Sequence, residues 1–123
     1  MTFEYNCILL QNRCNMPESF IINGCNGAGS GWNAKIVPDT IYGLNIRICA
    51  CIHDHAYSVG GTQIDKQLAD DEFLHNMLTI INNYKRWWYP HFLARHRAMT
   101  YYHAVVKHGK DSFNFKNITP KDY

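Results

Sequence analysis

A chain of 123 residues with 46% apolar and 18% charged residues is long enough to bury a core and too apolar to stay disordered. Its formal net charge of +2, with no run of five Lys or Arg, leaves no electrostatic footprint for nucleic acid. No stretch reaches the roughly 18–20 apolar residues of a membrane span, and a single domain over residues 1–123 is expected.

The first residues, Met1 to Cys7, lack a basic start followed by an apolar run. No signal peptide is expected there, which favours a cytoplasmic chain. The five cysteines, Cys7, Cys14, Cys25, Cys49 and Cys51, are odd in number, and without a leader they favour reduced thiols, with one or two disulfides as the alternative. Their spacing does not form the paired C-x-x-C of a structural zinc site. Phe20-Ile21-Ile22 suits either a strand or a helix end. The next stretch, Asn23 to Trp32, holds four glycines in ten residues. Such density permits positive φ and close backbone approach to a ligand, although a plain turn is the simpler reading for glycines alone.

Val37-Pro38-Asp39-Thr40 reads as a helix start with Asp39 or Thr40 as the cap. From about residue 41 to 57, apolar residues recur at helical spacing, and Ser58-Val59-Gly60-Gly61 ends the run. His53 shares a stripe with Ile46, Cys49, Ala50 and Tyr57, while Asp54 lies about 100° further round. From Thr62 to about Asn83 a second helix is predicted. Its buried face carries Lys66, Asp70, Phe73, Leu74, Met77, Ile80, Ile81 and Tyr84, with Asp71 and Glu72 solvated at the sides. A carboxylate on that stripe needs a fixed partner. Pro90 suits the first turn of a third helix, running from about His91 to His108, and Gly109 is read as its stop. Residues 110–123 are expected to be irregular. The fold class is therefore all-α. The short Gly60-Gly61 turn makes the first two helices antiparallel neighbours, and it brings His53 and Asp70 to one level.

Cys49-x-x-x-His53-Asp54-x-x-Tyr57, followed by Asp70-x-x-Phe73 on the next helix, resembles the phospholipase A2 superfamily, above all its short bacterial and phage-encoded members. The Gly24–Gly31 segment resembles the calcium loop upstream of the catalytic helix. Val37 to Leu44 resembles the segment leading into that helix in phage-type members. The likeness covers roughly residues 22–84.

The resemblance implies a phospholipase A2-like, calcium-dependent hydrolase of phospholipid esters. His53 would be the general base, Asp70 its orienting partner, and Tyr57 a support for Asp70. Asp54 would bind Ca²⁺, together with backbone carbonyls around Asn26, Gly27 and Gly29. The implied partner is a phospholipid or membrane surface, with no nucleic acid. The alternative is a scaffold of the same fold that binds a partner without catalysis, or a phage accessory protein acting on host membranes. The chain departs from the family at several places. Its loop reads Cys25-Asn26-Gly27-Ala28-Gly29-Ser30-Gly31 where the family has Cys-Gly-x-Gly-Gly, and Ala50 and Ala56 stand where secreted members carry cysteines. His55, His75, His91, His96, His103 and His108 are expected to serve no metal, and His96 and His103, seven apart on one helix face, have no carboxylate beside them there. Trp87-Trp88-Tyr89 beside Lys85 and Arg86 reads equally as a membrane-interface anchor or as packing under the end of the second helix.

Overall fold

The computed structural model describes residues 38–116. Asn26, Gly27, Gly29 and the rest of the glycine-rich segment lie outside the described residues. Three helices dominate: α1 (Arg47–Val59), α2 (Gln63–Asn83) and α3 (His91–His108). Two short strands, β1 (Thr40–Ile41) and β2 (Leu44–Asn45), precede them, and a 3-10 turn, Gly109–Asp111, follows α3. The architecture is mostly helical, as expected at that level of detail.

The predicted start of the first helix is wrong. Thr40 pairs with Asn45 and Ile41 with Leu44 in an antiparallel hairpin. Tyr42 and Gly43 both have positive φ, 47° and 82°. Two such residues at the tip match the hairpin turn whose twist fits flanking strands. Neither Asp39 nor Thr40 caps a helix. Instead α1 begins after Ile46, and the Asn45 side-chain oxygen accepts from the Arg47 backbone N–H at 2.8 Å. The helix then carries a nearly continuous buried stretch from Ile48 to Asp54, resumed at Ala56 and Tyr57.

Helix α2 starts as the sequence suggests, with Thr62 just outside it. The Thr62 hydroxyl accepts from the Asp65 N–H, and the Asp65 carboxylate accepts from the Thr62 N–H, a reciprocal capping box. Its buried face is broader than predicted. Lys66, Asp70, Phe73, Met77, Ile80 and Ile81 are buried, and so are Ala69, Glu72 and Asn76. Glu72 was expected in solvent, whereas it is 7% exposed. A stripe read from one neighbour misses a helix that is covered on two sides.

Helix α3 follows Pro90 and buries Ala94, Ala98, Tyr101 and Val105 against α2. Tyr89 donates its hydroxyl to Ile41 O at 2.5 Å and Tyr101 donates to Thr40 O at 3.1 Å, so the hairpin is pinned to α3 and the corner before it. The main core gathers Ile41, Ile46, Ile48, Ile52, Phe73 and Met77, with the buried faces of α2 and α3.

Two features near the α1–α2 turn were not anticipated. Gly109 caps the end of α3 at His108, as expected, but with φ of −77° and not in the left-handed conformation. Its lack of a side chain serves close approach: a Cβ there would lie 2.4 Å from the Tyr57 hydroxyl. Residues 112–116, expected to be irregular, form a strap across the turn. The Asn114 N–H donates to Tyr57 O, the Gly61 N–H to Asn114 O, and the Lys116 N–H to Gly61 O. Phe113 is buried beside Tyr57 and Ala69 in a small second core.

Candidate active site

Contacts between α1 and α2 run in opposite directions along the two helices. Lys66 approaches the Tyr57 ring, Asp70 meets both Tyr57 and His53, and Phe73 stacks obliquely on His53. The pairing is antiparallel, and the level match inferred from the short turn is present in the structure.

His53 Nε2 lies 2.8 Å from Asp70 Oδ1. The Tyr57 hydroxyl donates to the same oxygen at 2.6 Å. Both His53 and Asp70 are 1% exposed. The imidazole is gripped on both sides, by the Tyr57 ring at 4.1 Å and the Phe73 ring at 4.8 Å between centroids. An ionised Asp70 accepts from Nε2–H, and that tautomer leaves Nδ1 as the basic nitrogen of the ring. Burial holds the His53 pKa below its usual value, against the hydrogen bond and charge of Asp70, which pull it up. Near neutral pH the ring is therefore an unprotonated base.

Asp70 has a third partner that the sequence reading did not name. Lys66, one turn earlier on α2, donates from Nζ to Asp70 Oδ2 at 2.8 Å. The same ammonium reaches Val105 O and Val106 O at 3.4 Å. Those carbonyls belong to the last turn of α3, where a cation meets the negative end of the helix dipole. Lys66 thus ties α2 and α3 together behind the His53–Asp70 pair. Burial pushes the Asp70 carboxyl up, but the hydrogen bonds from His53, Lys66 and Tyr57 outweigh it and hold it below its usual value. Tyr57 is pushed up by burial and by the charge of Asp70, so it remains a donor. The i, i+4 spacing of Lys66 and Asp70 was the available signal. A polar recess of about 170 Å³, lined by Lys66, Asp70, Gln63, Gln67 and Tyr102 among others, opens on this side.

Asp54 is buried, 6% exposed, and among the described residues its Oδ1 has no hydrogen-bond partner. Burial raises its pKa from 3.8 to about 8. An orphaned carboxylate oxygen is costly in an apolar setting, and a hard cation is the kind of partner that removes the cost. Asp54 therefore fits the donor chemistry of a calcium ligand. Among the described residues no group of three His, Cys, Asp or Glu surrounds it, so further donors would have to be backbone oxygens or residues outside 38–116.

The neighbouring cysteines play other parts. Cys49 is buried with a free thiol that burial pushes well above its usual pKa, so it is not a nucleophile. Cys51 is disulfide-bonded. That corrects the expectation of reduced thiols: an odd total still leaves room for a bridge beside unpaired cysteines, and disulfides persist where the surroundings oxidise. Comparison of the chain with family models, curated proteins and solved structures finds no match.

Proposed function

We propose that this chain is a phospholipase A2-like hydrolase of phospholipid esters that depends on calcium. The observation that carries the reading is the adjacency of two arrangements on α1. One is a buried His53 oriented through Nε2 by Asp70. The other is Asp54, the next residue, with a buried oxygen that has no hydrogen bond among the described residues. The resemblance of roughly residues 22–84 to the phospholipase A2 superfamily supports the same roles.

In this mechanism Asp70 holds the imidazole tautomer, and Tyr57 and Lys66 hold Asp70 ionised. His53 Nδ1 takes a proton from the attacking water and returns it to the leaving alkoxide. A base with a pKa near or below neutral contributes typically about 10²–10⁴-fold. Phe73 and the Tyr57 ring keep the imidazole in place and exclude bulk water from its faces. Asp54 would hold calcium, with carbonyls around Asn26, Gly27 and Gly29 as proposed further ligands. When bound, calcium supplies charge to polarise the ester carbonyl and stabilise the oxyanion.

A calcium titration coupled to hydrolysis of mixed phospholipids, on wild type and His53→Ala, tests the reading. Calcium-dependent turnover that His53→Ala abolishes supports it. Turnover untouched by His53→Ala removes His53 as the base. Calcium binding without any turnover favours the alternative, a scaffold of this fold that serves a partner.

A further inference from the structure

The corner between α2 and α3 carries an exposed apolar cluster. Trp87 is 93% exposed, Phe92 79%, Trp88 58% and Leu93 51%. The corner itself is rigidly built. Tyr84, Trp88 and Tyr89 stack edge to face with centroids 5.0–6.2 Å apart. The His91 ring sits between two backbone carbonyls, with Nδ1 facing Tyr89 O and Nε2 facing Tyr84 O, and its N–H donates to one of them. Trp87 and Phe92 project from this frame without burying themselves, which goes beyond scattered surface apolar residues.

The overall charge of +2 hides a sharp asymmetry around the cluster. From Phe73 to Val106 the chain has four Lys and Arg residues, Lys85, Arg86, Arg95 and Arg97, and no Asp or Glu. Lys85 and Arg86 adjoin Trp87, and Arg95 and Arg97 follow one and two turns into α3; all four are exposed. The hairpin beneath the corner adds only one exposed acid, Asp39, set against exposed Arg47.

We propose that the α2–α3 corner inserts into the interface of a bilayer carrying anionic headgroups. Tryptophan and phenylalanine ringed by Lys and Arg match that zone, with the rings at acyl depth and the cations among phosphates. Each cation near such a surface adds about fivefold to partition. Asp70 precedes the end of α2 by 13 residues, which at 1.5 Å per residue puts the corner about 20 Å along the helix from the His53–Asp70 pair. The corner is thus an anchor apart from the candidate active site. The inference deepens the hydrolase reading by naming where the protein meets its substrate's bilayer, yet partition is measurable without turnover, so either can fail alone.

The test is cosedimentation of the full chain with vesicles of ether-linked phosphatidylcholine, with or without about 30% ether-linked phosphatidylglycerol. These lipids have no ester to cleave. The expected result is partition onto the anionic vesicles with a blue-shifted tryptophan emission that brominated acyl chains quench. The double variant Trp87→Ala/Phe92→Ala loses about tenfold or more of the partition. Lys85→Gln/Arg86→Gln loses about tenfold or more as well. These side chains are exposed, so unchanged far-UV circular dichroism is expected, and Trp87→Phe retains most of the partition. Equal partition of wild type and Trp87→Ala/Phe92→Ala, equal affinity for neutral vesicles, or failure to bind vesicles while forming a concentration-dependent dimer each overturns the proposal.

Discussion

Asp54→Asn isolates the cost of the buried carboxyl. The Asp54 pKa is about 8 in the folded chain against 3.8 as the reference value. The folded state therefore holds a proton that the unfolded state releases, and stability falls as pH rises between those two values. Its penalty is small below pH 4, grows through pH 5 to 8, and levels off above the folded pKa. One pKa unit corresponds to about 1.4 kcal/mol, so the penalty grows by ~3–4 kcal/mol between pH 5 and 8. Asparagine keeps the shape and does not titrate; its unpaired amide costs about 1–3 kcal/mol at every pH. The assay is urea unfolding of both proteins in EDTA at pH 5, 6, 7 and 8. Groups that titrate alike in both proteins cancel in the difference. The expected result is a gap that moves in favour of Asp54→Asn by ~3–4 kcal/mol from pH 5 to 8. Calcium at a hundredfold excess over its Kd should return about 2.7 kcal/mol to wild type at pH 8 and nothing to the variant. A gap that stays constant with pH, or calcium stabilising both proteins equally, refutes the reasoning.

Asp70→Ala strands the buried Lys66 ammonium and should cost about 3–5 kcal/mol by urea unfolding, besides any hydrolysis. Adding Lys66→Met to Asp70→Ala should restore part of that loss, and strict additivity of the two single changes would show that the pair is not coupled. Gly109→Ala should cost about 1–3 kcal/mol because its Cβ would meet the Tyr57 hydroxyl; the same change in a Tyr57→Phe background should cost less, measured by thermal melts of all three variants. Alkylation of the denatured, unreduced chain followed by mass spectrometry should label Cys49 and spare Cys51; a labelled Cys51 would contradict its bonded state.

The parts of this fold that could be read in advance are those governed by neighbours along the chain. Helix α2 announces itself through Thr62 and Asp65 at capping-box spacing and through a long stripe from Phe73 to Ile81. The His53–Asp70 pairing follows from equal distances on either side of a two-glycine turn. The β1–β2 hairpin was misread because two-residue strands have no periodicity to detect, and a positive φ at Tyr42 is invisible in a pattern of apolar spacing. Glu72 was misplaced because a single stripe assumes a single packing partner. Lys66 was assigned to the right face but not to Asp70, since its contact is as much with the end of α3 as with its own helix. The glycine-rich segment on which the calcium ligands depend lies outside the described residues, so Asp54 alone carries that half of the candidate site.

The strap over the α1–α2 turn bears on the order of assembly. Asn114 donates its side-chain amide to Ser58 O across 56 positions of sequence. Gly60 is fitted to the strap so closely that a Cβ there would fall 1.9 Å from Asn114 O. Closing so long a loop is entropically slow and comes after local helix formation. Helices α1 and α2 can therefore pair early, as a local hairpin that already holds the Tyr57–Asp70 contact, and the strap closes over the turn afterwards. During synthesis the His53–Asp70 contact can form with the local hairpin, whereas a chain interrupted before residue 113 would lack the bonds from the strap to Tyr57, Ser58 and Gly61 that clasp the turn.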